Sequence, residues 1–99
     1  MANEQTIVIQ CDAEAASLLE REVAGLQGSV QRAERKNLDG SVPVWVLMIT
    51  AGIQAVPPIL ETVRKMIADR KVKSVKLPDQ PELTNAEQVD IQIRRYRAG

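Results

Sequence analysis

The chain of 99 residues contains no histidine, a single cysteine and only two aromatic residues, Trp45 and Tyr96. Without histidine, the common metal sites and the usual base beside a nucleophilic Ser or Cys are excluded, which leaves carboxylates, lysines and the terminal amine. Cys11 has no partner for an intrachain disulfide, so nothing points to an oxidising compartment. It follows a strand-like run and precedes a helix-like one, where helix amides can activate a thiol, yet no partner group is in view. It reads as a small buried apolar residue. Glycines 25, 28, 40, 52 and 99 make neither G-x-G-x-x-G nor a P-loop. Asp12 with Glu14, and Asp79 with Glu82, lack the spacing of a calcium loop. No catalytic residue, cofactor or metal ligand is therefore expected, and a non-enzymatic chain is.

Charge of one sign is also missing, because 13 Lys and Arg balance 13 Asp and Glu. No long-range field draws in nucleic acid or an anionic membrane. The halves differ: residues 1–50 hold four basic and seven acidic side chains (−3), residues 51–99 nine and six (+3). The start, Met1-Ala2-Asn3-Glu4-Gln5, has no basic flank or apolar run of a signal peptide. The longest apolar stretch, Val42–Ile49, holds Pro43 and falls far short of the ~20 residues a membrane helix needs. A cytoplasmic location is expected.

Hydrophobic content of 44% and charged content of 26% are those of a globular chain, and the length suits one domain over residues 1–99. Thr6–Gln10 is β-branched and ends at Asp12, a good N-cap. Ala15, Leu18, Leu19, Val23 and Leu26 recur at helical spacing over residues 13–27, with Gly28 as the C′ residue. Residues 29–36 suit a charged edge strand, and Asn37-Leu38-Asp39-Gly40 marks a hairpin turn. Val42–Thr50 is the strongest strand and is apolar at both parities, which predicts cover on both faces. Ala51-Gly52 breaks it, and Pro57-Pro58 opens a second helix whose stripe is Ile59, Leu60, Val63, Met66 and Ile67. Glu61 and Lys65 have the spacing of an i,i+4 pair. Val72–Leu77 reads as a strand, residues 78–87 as a polar loop, and Val89–Ile93 alternates as a last strand.

This order predicts an α+β, ferredoxin-like βαββαβ sandwich with an additional C-terminal strand. Right-handed crossovers put strands one and three in the centre and both helices on one face, the one bearing Ile7, Ile9 and Cys11. One apolar set of strand three, either Trp45, Leu47 and Ile49 or Val44, Val46 and Met48, then lines the other face and needs a partner. Val44, Val46 and Met48, with the basic pair Arg70 and Lys71, are the candidate interaction residues, for a protein partner or a second copy docking on the open sheet face.

Two other readings compete. RNA-binding sheets stack bases on aromatics of the central strands; here only Trp45 is offered, beside a basic concentration from Arg64 to Lys76 and at Arg94, Arg95 and Arg97. Helix-end charges and a solvated face account for those cations, so nucleic acid is not the expected partner. The other reading is an ACT-like regulatory domain binding a small ligand at a sheet-paired dimer interface.

With its strands placed, the chain resembles the effector-associated constant component family, small domains found with caspase-like or trypsin-like effectors in bacterial conflict systems. The shared layout covers about residues 6–94: a short opening strand, a leucine-bearing helix, Val44–Thr50 breaking at Ala51-Gly52 into the helix Pro57–Arg70, and a closing strand pair. The single Gly52 followed by Pro57-Pro58 departs from the glycine-richer turn of that pattern. The resemblance implies an adaptor that couples an effector to a sensor. It assigns no functional residue.

Overall fold

A computed structural model describes residues 4–35 and 44–98. It is an α+β structure of four strands and three α-helices: β1 (Glu4–Cys11), α1 (Ala13–Gly25), β2 (Ser29–Arg35), β3 (Val44–Gly52), a 3-10 turn (Ile53–Ala55), α2 (Val56–Ala68), β4 (Val72–Lys76) and α3 (Ala86–Ala98). The strands form one antiparallel sheet in the order β2-β3-β1-β4, so β1 and β3 are central as expected. The hairpin turn expected at Asn37–Gly40, with Val42 and Pro43, lies outside the described residues.

Side-chain parity decides where the core sits. Ile7, Ile9 and Cys11 lie opposite Ile49, Leu47 and Trp45, and five of these six are buried. Helix α1 lays Ala15, Ala16, Leu19 and Val23 on this face, and α2 lays Val56, Ile59, Leu60, Val63 and Met66. The helices thus cover the Ile7 face, and one apolar cluster runs beneath all three of them. No helix among the described residues is long and apolar enough to cross a membrane.

The ends of α1 and α2 follow from capping chemistry. Asp12 Oδ1 accepts the Ala15 N–H at 2.8 Å, which satisfies one of the orphan donors of the first turn. At the other end the expected C′ residue shifts by one position. Gln27, not Gly28, adopts the left-handed conformation (φ 62°), while the Gly28 N–H reaches the Val23 carbonyl at 3.0 Å. Gly28 is needed for room instead: a Cβ there would lie 2.7 Å from Val23 Cγ1 and 2.9 Å from the Thr50 carbonyl oxygen. Helix α2 ends in the same way with Arg70 left-handed (φ 62°), the Arg70 N–H on the Ile67 carbonyl and the Lys71 N–H on that of Met66. The strand β3 does not break at Ala51-Gly52 but runs through it, with Ala51 buried.

The largest correction concerns the C-terminus. Residues Val89–Ile93, expected as a strand, lie within α3. Alternation of Val89, Ile91 and Ile93 is genuine, yet five residues also fit a helical period, and Ile91 is 50% exposed while Gln92 is buried. The buried set Val89, Gln92 and Ile93 has i, i+3, i+4 spacing. Asn85 Oδ1 accepts from the Gln88 N–H at 2.9 Å, and Gln88 Oε1 accepts from the Thr84 N–H at 3.0 Å, a variant of the capping box. The outer edge of β4 is met instead by Leu83, which exchanges two backbone hydrogen bonds with Val75. Helix α3 packs beside α2 through Arg64–Asp90 (2.7 Å) and Arg97–Glu61 (2.6 Å). Glu61 is therefore spent on Arg97 and not on the expected i,i+4 partner Lys65.

Candidate interaction face

The second face of the sheet is built by the alternate residues of each strand. Cross-strand register arranges them in rows: Gln31, Met48, Val8 and Lys76; Ala33, Val46, Gln10 and Ser74; Ser29, Thr50 and Thr6. The same parity brings Glu4, opposite Gly52, and Arg35, opposite Val44, to the ends of this face, while Lys76 is the only charged member of the eleven positions between them. The charges of this face thus stand at its ends and on the edge strand at Lys76, and an uncharged centre with polar flanks is the pattern of an interface core. Val8 and Val46 are half-buried, and Met48 is 46% exposed with no covering layer among the described residues. A shallow hollow of about 170 Å³ opens between β2 and β3, lined by Gln31, Arg32, Ala33, Val46 and Met48.

The five candidate residues separate. Val46 and Met48 share this face and join Val8 and Ala33. Val44, at the start of β3, is only 5% exposed and presents almost nothing to a partner. Arg70 and Lys71 lie outside the sheet, in the connection from α2 to β4. Arg70 is exposed at the left-handed helix end. Lys71 is committed to structure: its Nζ meets Glu14 Oε1 at 3.0 Å and its carbonyl accepts the Asp12 N–H, also at 3.0 Å. The Glu14 hydrogen bond and charge hold the ammonium above its ordinary pKa. Glu14 thus serves both the helix dipole and a tie to the α2–β4 loop.

Trp45 belongs to the opposite surface. Opposite Cys11 on the helix-facing side, it is half-buried against the core and carries the Arg32 guanidinium 4.2 Å from its ring centroid. Arg32 in turn bonds Glu20 of α1 at 3.1 Å. Among the described residues, the open faces of β1 and β3 present no aromatic ring for a base to stack on. Much of the basic concentration is internally paired: Arg64 and Arg94 with Asp90, Arg97 with Glu61, Lys71 with Glu14.

Cys11 is 1% exposed, and burial, with the neighbouring Asp12 charge, pushes its thiol up to about 11. A thiol held neutral at the base of a core is no nucleophile. No group of three or more Cys, Asp or Glu placed to hold a metal ion occurs among the described residues.

Alternation separated Val8 from Ile7 and Ile9, and Val46 and Met48 from Leu47 and Ile49, but only the register of β3 on β1 puts Val8, Val46 and Met48 on one surface. The contribution of Gln31 and Ala33 was hidden, because residues 29–36 look too polar to matter for packing. Only the register of β2 on β3 brings them to Met48 and Val46. No family model matches the chain, and no curated protein does either.

Proposed function

We propose that this protein is a non-enzymatic interaction module, a ferredoxin-like βαββαβ sandwich with a third helix beside the second, whose open sheet face receives another protein chain. The observation that carries this reading is the apolar patch of Val8, Val46 and Met48 on the two central strands, left without a covering layer among the described residues. A solvated face of a sheet normally carries polar residues on its central strands, and an apolar patch left uncovered there marks a contact surface. Four strands about 4.8 Å apart and about 20 Å long offer roughly 400 Å² of flat footprint, at the small end of specific interfaces. A reversible contact, with a second copy or a partner of similar flatness, suits that size. Coupling of an effector to a sensor in a bacterial defence system is the role that the layout resemblance supports.

Light scattering over a concentration series, with wild type and Met48→Glu, tests the proposal. The expected result is a dimer, or a complex captured from the host, that Met48→Glu abolishes while the helical and strand signals stay unchanged. A wild type that stays monomeric to about 1 mM and retains the same host proteins as Met48→Glu would overturn it.

A further inference from the structure

A second surface lies on the other side of the molecule, where α3 approaches the 3-10 turn and the β4–α3 loop. A cleft of about 300 Å³ opens there, lined by Ile53, Pro78, Gln80, Gln92, Arg95 and Tyr96. Gln92, Arg95 and Tyr96 stand at i, i+3 and i+4 and so share one face of α3.

The arginines of α3 divide by partner. Arg94 meets Asp90 at 3.0 Å and Arg97 meets Glu61 at 2.6 Å, whereas Arg95 has no ion pair among the described residues. Gln92 is 8% exposed, and its amide lines the cleft with no side-chain hydrogen bond to the described residues. No side-chain nitrogen or oxygen among the described residues is both buried and unpaired, so the Gln92 amide keeps its polar atoms open to the cleft, where a ligand can meet them. The walls are apolar. Ile53 is 42% exposed, Pro78 is exposed beside it, and the Tyr96 ring is held in place by its hydroxyl, which donates to Gln5 Oε1.

We infer that this cleft binds a small molecule carrying one carboxylate on a flat apolar body. The free guanidinium of Arg95 matches a carboxylate in fork geometry. The amides of Gln92 and Gln80 add donors to its oxygens. Ile53, Pro78 and the Tyr96 ring take the body. At about 20 to 30 Å³ per heavy atom, the volume suits about ten to fifteen atoms. A cationic ligand meets Arg95 as a like charge, and a dianionic phosphate finds a single cation among the lining residues.

The probes are 3-phenylpropionate and indole-3-propionate, each beside its neutral carboxamide, titrated into the isotopically labelled full chain and followed by amide NMR shifts. The expected result is shifts confined to the cleft, centred on Gln80, Gln92, Arg95 and Tyr96, with a dissociation constant of about 1 mM and the acid preferred to the amide about tenfold. Arg95→Gln removes that preference. Gln92→Met, which keeps the side-chain volume but removes the amide donors, weakens the acid about tenfold while the helical signal of the free chain stays unchanged. Equal binding of acid and amide, shifts elsewhere, or none at about 10 mM would overturn the inference. So would a Gln92→Met chain that binds the acid as wild type does.

Discussion

The two faces of β1 make opposite predictions for neighbouring positions. Ile9 is fully buried, opposite Leu47 on one side and Val75 on the other, both fully buried as well. Ile9→Ala removes three carbons. At about 0.8 kcal/mol each the lost transfer energy is about 2.4 kcal/mol. A cavity that half-collapses adds about 1 kcal/mol, for a total of about 3 to 4 kcal/mol. Val8 is half-buried, opposite the exposed Met48 and Lys76, so Val8→Ala, which removes two carbons, costs about 0.8 kcal/mol in the lone chain. If the open face pairs with a second copy, the Val8 cost grows with protein concentration, whereas the Ile9 cost is already complete in the monomer. Urea denaturation followed by circular dichroism at about 2 and 200 µM separates the two, provided the slope on denaturant stays constant between variants. Equal costs at the lower concentration would refute the assignment of faces. A Val8 cost independent of concentration would refute self-pairing.

Two further outcomes follow from backbone and titration. Gln27→Gly relieves a left-handed non-glycine residue and is expected to stabilise by about 0.5 to 1 kcal/mol after the extra chain entropy is counted, whereas Gly28→Ala forces a Cβ against Val23 and the Thr50 carbonyl and costs about 1 to 3 kcal/mol; thermal melts of the two variants should move in opposite directions. The Cys11 thiol is raised in the folded chain from its ordinary 9.0 to about 11, so the stability it contributes is complete below pH 9 and is lost as pH rises toward 11 and beyond. Urea melts between pH 8 and 11 on wild type and Cys11→Ala check this, the expected result being a flatter alkaline limb in the variant, and identical limbs contradicting it.

Local patterns were enough wherever one rule applied without a competitor. The β-branched run before Asp12, the apolar stripes of α1 and α2 and the double-faced β3 each specify an element, although Leu18 of the α1 stripe is 42% exposed and Ala16, outside it, is buried. The central places of β1 and β3 followed too, since the handedness of crossovers leaves few arrangements. Three features needed the tertiary structure. Val89–Ile93 fits both periods, and only packing against α2, with Arg64 meeting Asp90 and Arg97 meeting Glu61, selects the helix. The left-handed position passed from Gly28 to Gln27 because Gly28 is the one residue small enough to let α1 approach β3 at Thr50. The candidate surfaces were decided by neighbours distant in sequence: Ala33 and Gln31 reach Val46 and Met48 through strand register, and Gln92 and Arg95 meet Ile53 only because α3 folds back beside α2. Periodicity reports which side of its own element a residue takes, whereas what stands opposite depends on contacts between segments that no local spacing encodes.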